Sequence, residues 1–424
     1  MLVKGESSVK SKKPEKDWAA QLQQWAAPFL RALAHPAQRR WAPVYLTGLL
    51  GPGERKSAMA LAEQVAPEDG WQVHHFVSAS PWPTEQLEAV LAQKAQELVG
   101  GPGSQLIVDD TALVKQGRCS VGVAHQYCGE LGKKANCQCL VSLTLARNEV
   151  PVPVALRLYL PEAWCQDPLR RQKCGVPDEV AYRPKWQMAV EEIDRLSQAG
   201  VRFGDVLADV GYGAGADFRH ALEQRHLRYA VGILPTQKVY PAGVRLEPPR
   251  AAANGRPRQH PQPTADSVSA EQRIQAVGPR RWRRLSWRVG SRGKLQAEFV
   301  ALRVRLADGP EVAQGRHLPS PKRYWLVAER RKNGEMRYYV SNLSSRATLL
   351  RLARQIKGGW VCEQAHEQLK QELGLDHFEG RSWTGLHHHL VLTLIAFAFL
   401  QYRRLAGKKS RSGTGLRPSP ACPL

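Results

Sequence analysis

The chain has 424 residues and carries 61 Lys and Arg against 38 Asp and Glu, a formal net charge of +23. This charge indicates a polyanionic partner, and it favours nucleic acid over acidic lipid because Lys and Arg displace the counterions condensed on phosphates; a ribosome-associated or merely basic protein is the alternative. With 43% hydrophobic and 23% charged residues, the composition argues against extensive disorder and predicts a globular protein.

Nothing at the start of the chain predicts export. Met1 to Lys16 is polar and Lys-rich, without the apolar stretch of a secretory signal. The longest apolar run, Leu390–Leu400, is far shorter than the roughly 20 residues that cross a bilayer, so it predicts a buried helix. The eight cysteines are scattered rather than framed as a disulfide scaffold. We therefore expect a cytoplasmic protein with no membrane segment.

The first quarter of the chain is predicted to be helical. Residues 1–16 are expected to be a flexible basic terminus and residues 17–103 a separate helical domain. Apolar residues at three- and four-residue steps predict one stripe on the first helix: Trp18, Leu22, Trp25, Phe29 and Leu33. Further helices are predicted over Ser57–Glu63 and Thr84–Val99, with Thr84 and Glu88 placed for capping.

From Gln105 the pattern changes to short β-type runs alternating with helical ones. The predicted elements are strands at Gln105–Val108, Cys137–Leu145, Val150–Leu160, Val206–Ala208 and Arg228–Leu234, and a helix at Asp178–Gln198. This alternation predicts an α/β core with a mixed sheet, and we assign residues 104–234 to its first part.

Residues 235–345 are predicted to interrupt that core. A mobile linker at 246–270, rich in Pro, Ala, Gly and Gln, precedes an inserted antiparallel β module. Its predicted strands are Arg280–Trp287, Gln296–Leu306, Arg323–Ala328 and Arg337–Leu343. Helices over Ala347–Leu373 and Leu386–Leu405 then complete the core as residues 346–406, and residues 407–424 are expected to be a flexible basic tail.

Two aspartates are placed where metal ligands collect in α/β sheets. Asp109 and Asp209 each follow an apolar strand at a predicted turn, the position at which ligand-binding residues gather. Two carboxylates so placed are suited to sharing metal ions. The alternative for each alone is an ordinary turn or cap aspartate, since Asp is common at strand ends.

A third carboxylate lies on a predicted helix. In Trp360–Lys370, the side chains of Glu363, Glu367 and Lys370 fall on one face, so a carboxylate and an ammonium group lie about two turns apart. One end is suited to metal and the other to phosphate. A solvated face with a weak Glu and Lys pair is the alternative.

These carboxylates lie in motifs that resemble a known family. The chain is similar to IS701-type transposases in three blocks that occur in the family's order: Ile107–Thr111 with Lys115–Gly117 and Ser120–Gln138; Leu207–Gly213; and Glu363–Lys370 followed by Glu372–Trp383. Tyr45–Leu50 and Glu54–Ser57 in the helical part also match, so the resemblance covers nearly the whole chain.

The resemblance implies a ribonuclease H-like core with a DDE metal site, as in the wider IS4-like group. Asp109, Asp209 and Glu363 match its three carboxylates, and Asp110 is the runner-up for the first position. Mg²⁺ or Mn²⁺ is the implied metal, with two ions expected because three carboxylates can bracket a scissile phosphate between them. Lys370 is the implied phosphate contact, and the predicted DNA-binding residues are Trp325, at the place of a base-stacking tryptophan, Lys370, Lys115 and Arg381.

The chain departs from the IS4-like pattern around Glu363. Ile356 and Gly359 stand where that group has Tyr and Arg, so a phosphate-contacting guanidinium is missing, and Lys357 is its possible substitute. Leu386 and His388 likewise replace the Trp and Arg of many IS701-like sequences. These departures keep a catalytically inactive or repurposed DNA-binding protein as the main alternative.

Four further signals carry no assigned role. Gly51–Ser57 lacks the Gly that a phosphate-cradling loop needs before its Lys. Cys137 and Cys139, with neighbouring Cys and His residues, match no common zinc spacing, so we expect buried thiols. His387–His389 are expected to be helix surface and packing. The Arg and Trp residues at 280–288 suit DNA and a basic strand face over a tryptophan core about equally.

The sequence thus predicts an insertion-sequence transposase. It is expected to bind double-stranded DNA at the element's terminal inverted repeats, cleave it, and join the 3′-hydroxyls to target DNA. Because two ends must be paired, a homodimer on DNA is expected, in the bacterial cytoplasm and associated with the nucleoid. A generic metal nuclease ranks behind the inactive DNA-binding alternative.

Overall fold

The computed structural model describes residues 15–249, 260–290, 293–313 and 315–412. Helices come first, as the apolar periodicity predicts: α1 (Glu15–Ala32), α2 (Pro36–Leu50), α3 (Ala58–Val65), α4 (Gly70–Ser78) and α5 (Thr84–Val99), with a 3-10 turn at Pro67–Asp69. Leu22, Trp25 and Phe29 are buried, which confirms the predicted stripe on α1.

The predicted capping at the start of α5 is wrong. Pro83 occupies the cap position, and no side chain caps the helix. Glu88 is buried instead, where Arg157 donates two hydrogen bonds to its carboxylate at 2.6 and 2.5 Å. The Arg157 guanidinium also donates to Glu192 at 2.7 Å. A buried charge is retained only when paired, so this cluster accounts for the position of Glu88.

The next part of the chain forms the centre of the sheet. Its elements are β1 (Gln105–Val114), β2 (Ala124–Cys128), β3 (Lys133–Arg147), β4 (Val150–Tyr159), α6 (Glu162–Cys165), α7 (Pro168–Cys174), α8 (Lys185–Gln198), β5 (Asp205–Ala208), α9 (Val210–Gly213), α10 (Ala216–Gln224) and β6 (Arg228–Ile233). Helix α8 starts later than predicted because Pro184 sets its cap. Residues from Cys137 to Ala146 of β3 are buried without alternation, as expected for a strand covered on both faces.

The strand order β4-β3-β1-β5-β6 defines the topology of this core. Strand β3 runs antiparallel to both of its neighbours, β1 and β4, whereas β5 runs parallel to β1 and β6 parallel to β5. Three antiparallel strands followed by two parallel ones form a ribonuclease H-like core, so the predicted α/β fold class with a mixed sheet is confirmed.

The long strands of the insertion join the core sheet, and four of its short strands pair as two separate two-stranded sheets. It contains β7 (Lys238–Pro241), β8 (Leu246–Glu247), β9 (Gln262–Pro263), β10 (Val268–Ser269), α11 (Ala270–Gln275), β11 (Arg283–Gly290), β12 (Gly293–Leu306), β13 (Glu311–Ala313), β14 (Arg316–His317), β15 (Tyr324–Arg330) and β16 (Met336–Ser341). Strand β16 pairs antiparallel with β6, and the order continues through β15, β12, β7 and β10. The antiparallel module is therefore an extension of the core sheet. Of the predicted linker at 246–270, residues 250–259 lie outside the described residues.

Three helices close the chain: α12 (Leu349–Lys357), α13 (Trp360–Gln371) and α14 (Trp383–Ser412). Trp383–Gly407 is long and apolar enough to cross a membrane by length and composition, but 78% of its apolar window is buried inside the protein, which is typical of a core helix. The predicted tail at 407–424 begins too early because α14 continues to Ser412. Residues 1–14 and 413–424 lie outside the described residues.

Helix α14 joins the amino-terminal helices to the sheet. It packs on α2, α4, α5 and β4, and one hydrophobic cluster runs from Leu22 through the strands to Phe399. The histidines of this helix were expected at surface and packing positions, and His388 and His389, 1% and 0% exposed, are packed in the interior rather than at the surface. The expected buried thiols at Cys137 and Cys139 are confirmed. The amino-terminal helices thus share their core with the sheet, and the domain boundaries stay predictions.

Candidate active site

The parallel pair β1 and β5 brings two of the predicted carboxylates together. Val108 is in register with Ala208, and Asp109 and Asp209 are the next residues on these neighbouring strands. The prediction that Asp109 ends its strand is wrong, since β1 continues to Val114 along its antiparallel partner β3. Only β5 ends here, and Asp209 caps α9 by accepting a hydrogen bond from the Tyr212 backbone N–H at 3.3 Å.

Glu363, which lies much later in the chain, lines the same cleft as Asp109 and Asp209. It lies in the first turn of α13, which begins after Gly358 and Gly359 and packs on β1 and β4. Asp109, Asp209 and Glu363 all line one cleft of about 600 Å³. The structure therefore gathers three carboxylates that lie a hundred or more positions apart in the chain.

The electrostatics of this cleft are unfavourable for ionised carboxylates without a cation. Burial, together with the nearby charges of Asp209, Asp110 and Glu363, raises the pKa of Asp109 to about 7. Burial and the charge of Asp110 also raise the pKa of Asp209. A bound divalent cation would favour the ionised form of both groups, so the donor set fits a metal that prefers oxygen ligands, as Mg²⁺ and Mn²⁺ do.

Asp110 has partners of its own. The Lys185 ammonium group donates to its carboxylate at 2.5 Å, and the Tyr212 hydroxyl donates to its other oxygen at 2.5 Å. Successive strand residues point to opposite faces, so the side chains of Asp109 and Asp110 diverge, and Asp110 is absent from the residues that line the carboxylate cleft. Asp109 is therefore the better candidate for the first carboxylate.

The β15–β16 hairpin forms a cationic wall of the cleft. Arg331 and Arg337 line it from the hairpin, and Lys357 lines it from the end of α12. Glu335 accepts hydrogen bonds from Arg331 at 3.3 Å and from Arg337 at 2.8 Å. Neither arginine was predicted as a site residue. The insertion is rich in basic residues, but this abundance does not show which of them face the carboxylates. Ile356 and Gly359 also line this cleft, so the departures from the family pattern lie at the site itself.

The other predicted contacts lie outside this cleft. Lys370 donates to Glu130 at 2.6 Å. Lys115 and Arg381 line a second cleft of about 670 Å³, in which the Lys115 ammonium donates to the backbone carbonyls of Asp376 and Phe378. Burial lowers the pKa of Lys115. The indole N–H of Trp325 donates to the Ser344 carbonyl at 3.0 Å. The DNA-binding roles of these four residues stay predictions.

Comparison with known proteins supplies independent evidence for the class that this fold and cleft define, a ribonuclease H-like protein with a carboxylate site. Residues 28–294 match the family described as DDE superfamily endonuclease. Because this match covers more than half of the chain, the chain belongs to the DDE superfamily endonuclease family. Glu363 lies beyond the matched residues, so its assignment rests on the geometry of the cleft.

One relative carries the specific resemblance seen in the motifs. The chain is 29% identical over 187 residues to the probable transposase for insertion sequence element IS701 from Microchaete diplosiphon. The alignment spans 44% of this chain and 46% of that protein, so less than half of the relative is covered. This confirms the resemblance, while the activity of the whole protein remains a proposal.

Two solved structures show weak overall likeness. The cryo-EM structure of the piggyBac transposase synaptic complex with hairpin DNA matches with a TM-score of 0.35 and 10% identity, over 96% of this chain and 84% of that chain. The crystal structure of the NurA nuclease from Sulfolobus solfataricus matches with a TM-score of 0.26 and 8% identity, over 83% and 97% of the two chains. These scores are too low to support an argument about function.

Proposed function

We propose that the protein is a DDE transposase. In this proposal it binds the ends of an insertion sequence, cleaves the DNA by metal-assisted hydrolysis, and joins the exposed 3′-hydroxyls to target DNA. The observation that carries the proposal is the convergence of Asp109, Asp209 and Glu363 on one cleft, in a chain of the DDE superfamily endonuclease family.

Asp109, Asp209 and Glu363 are the residues that would hold two Mg²⁺ or Mn²⁺ ions. When bound, such ions activate the attacking water or 3′-hydroxyl and stabilise the leaving oxygen. The raised pKa of Asp109, about 7, supports this role, because crowded carboxylates gain most from a neighbouring cation. No protein nucleophile is then required.

The cationic wall would supply the positive charge that binds DNA phosphates, which the carboxylates cannot do. Arg331 and Arg337 would bind the phosphates that flank the scissile bond, since a guanidinium pairs with phosphate through two parallel hydrogen bonds. Glu335, the partner that both arginines share, is 40% exposed and would be exchanged for a phosphate oxygen, while Arg331 also lies 3.7 Å from the buried Glu329 carboxylate. The cleft would thus orient the DNA backbone between carboxylates and cations.

The partners follow from this chemistry and from the net charge of +23. Double-stranded DNA would be bound at the terminal repeats and at the target, and two copies of the chain would pair the two ends. Lys115, Arg381, Lys370 and Trp325 stay our candidates for further DNA contacts. Association with the nucleoid in the cytoplasm of a bacterium is part of the same proposal.

A cleavage assay on the natural element ends tests the proposal. Inverted repeats that flank the gene identify the substrate, and labelled duplexes carrying them are incubated with the full chain and Mg²⁺ or Mn²⁺. Asp209→Asn should bind the ends but not cut them, because Asn still caps α9 while the metal-binding carboxylate is lost. Asp217→Asn is the matched control, since this exposed aspartate in α10 does not line the cleft. Cutting by Asp209→Asn at the unmodified rate would refute the site.

A catalytically inactive DNA-binding protein is the second candidate function. It is favoured by Gly359, which lines the cleft without a side chain where a phosphate contact is expected. Specific end binding with no cleavage in Mg²⁺ or Mn²⁺ would support it. Cleavage without joined strand-transfer products would indicate a metal nuclease instead.

A further inference from the structure

Asp109 also belongs to a second set of side chains whose chemistry suits a metal ion. Cys362 and His366 are four residues apart on α13, and each offers a ligand atom within 4.8 Å of the others in a set completed by the Asp109 carboxylate. The His366 Nδ1 lies 4.0 Å from Asp109 Oδ2, and its Nε2 lies 3.6 Å from the Cys362 Sγ. Residues four apart lie on one helix face, so the Cys362 sulfur and one ring nitrogen of His366 can reach a single ion.

Two members of this set, Cys362 and His366, are buried between α13 and β3, whereas Asp109 is partly exposed. Cys362 is 0% exposed and His366 is 7% exposed. Two hydroxyls of β3 contact them: the Ser142 Oγ lies 2.8 Å from His366 Nε2, and the Thr144 Oγ1 lies 3.3 Å from Cys362 Sγ. Ser142 is also the register partner of Asp109. Partners of this kind orient the side chains that ligate a metal.

The ligand atoms of Asp109, Cys362 and His366 differ in chemistry from those of the carboxylate cleft. The cleft offers carboxylate oxygens alone, which suit Mg²⁺ or Mn²⁺, whereas a thiolate, an imidazole and a carboxylate together suit zinc and the ions that resemble it. Three protein ligands leave one tetrahedral position, which a water molecule from the cleft can fill.

We infer that Asp109, Cys362 and His366 form a binding site for a zinc-class divalent ion, and that occupation of this site withdraws Asp109 from the carboxylate cleft. On binding, the Cys362 thiol releases its proton to solvent and its sulfur bonds to the ion. Because Asp109 belongs to both sets, the two modes of metal binding compete. Zinc is therefore an inhibitor of cleavage, a consequence that rests on the proposed function, while the binding itself does not.

Cobalt binding tests the site without any DNA. Co²⁺ is titrated into the metal-free full chain while the near-ultraviolet absorption of the cobalt–thiolate bond is recorded. We expect this band to saturate at one equivalent, to disappear when Zn²⁺ is added, and to be lost in Cys362→Ser. His366→Asn should reduce cobalt affinity by at least about tenfold, which provides a second variant. Cys139→Ser is the matched control, because this buried thiol is not in the set, and it should keep the band.

Absence of the cobalt–thiolate band in the wild-type chain, or its persistence in Cys362→Ser, would overturn the site.

A second experiment tests the competition for Asp109. Zn²⁺ is added to the Mg²⁺-dependent cleavage assay, and the rate of each variant is compared with its own rate without zinc. Inhibition should need at least about tenfold more zinc in Cys362→Ser than in the wild type. Equal sensitivity would overturn the competition for Asp109. A chain that binds cobalt but never cleaves DNA would separate failure of the proposed function from failure of this site.

Discussion

Asp109 and Asp209 lie side by side because the residues before them, Val108 and Ala208, are in register on parallel neighbouring strands. The two aspartates are a hundred positions apart in the chain, yet the hydrogen bonds between β1 and β5 fix their separation. A shift of one residue in this pairing would turn the Asp109 side chain to the opposite face of the sheet. The candidate site is therefore built on paired strands of the core sheet.

The choice between Asp109 and Asp110 is directly testable. Asp109→Asn should lower cleavage by more than about 100-fold, because it removes a ligand from the proposed metal site. Asp110→Asn should leave cleavage largely intact but destabilise the protein by about 1–3 kcal/mol, since it leaves the Lys185 ammonium group without its carboxylate partner. Cleavage rates and urea unfolding of both variants measure these effects. A loss of cleavage in Asp110→Asn alone would reverse the assignment.

Substitution of Gly359 by arginine should raise the rate of DNA cleavage. The Gly359 φ of −63° is helical, and a Cβ added there would meet nothing closer than the Ile356 carbonyl at 3.9 Å. Gly359→Arg is therefore compatible with the backbone and would place a guanidinium at the edge of the cleft. We expect cleavage to increase by at least about tenfold, because the added cation stabilises charge at the phosphate. Gly359→Ala is the control, and equal rates in the two variants would show that position 359 does not limit the reaction.

The cluster of Arg157, Glu88 and Glu192 joins β4 to α5 and α8 and should stabilise their packing. Arg157→Leu removes the guanidinium that pairs with the buried Glu88, while Glu192 keeps Arg195 at 2.8 Å. Leaving the buried Glu88 carboxylate without this partner should cost about 3–5 kcal/mol of unfolding free energy. The matched control is Arg183→Leu, which breaks the exposed pair with Glu191 and should cost about 0–1 kcal/mol. Urea unfolding compares the two. Similar losses in both variants would contradict the role of the buried cluster.

His389 should make the fold sensitive to acid. Its Nδ1 lies 2.9 Å from the Tyr45 hydroxyl and its Nε2 lies 3.1 Å from the Gly374 carbonyl, so a neutral ring accepts from the first and donates to the second. Burial lowers the pKa of His389 to about 4, whereas the pKa of an unfolded histidine is about 6.5. Between these values the unfolded chain binds more protons, so stability rises with pH across this window and is lost as the pH falls from about 6.5 towards 4.

Urea unfolding at several pH values measures this effect. His389→Gln should reduce the slope of unfolding free energy against pH by up to about 1.4 kcal/mol per pH unit in that window. His125→Gln, at an exposed position on β2, is the control and should keep the wild-type slope. An unchanged slope in His389→Gln would show that this ring does not bind the proton.

Local sequence patterns predicted part of the fold. Helical periodicity predicted α1 and α5, and apolar runs predicted β1, β5 and β6, because side-chain burial repeats at intervals set by the backbone. The predictions that failed depended on distant partners. Glu88 was expected to cap α5, but Arg157 comes from β4. Asp109 was expected to end its strand, but β1 continues where β3 supplies its partner.

The class of chemistry was predictable from the amino-acid sequence, because a basic chain carries carboxylates in three ordered motifs, with a glycine where a cation is expected. Which of these groups meet depends on the three-dimensional fold. The fold sets Asp109 rather than Asp110 towards the cleft and joins the insertion to the core sheet. It also brings Arg331 and Arg337 into the lining of the same cleft, and Cys362 and His366 close to Asp109. The reason is that strand register and helix packing fix distances between residues far apart in the chain, and neither is encoded in any single local pattern.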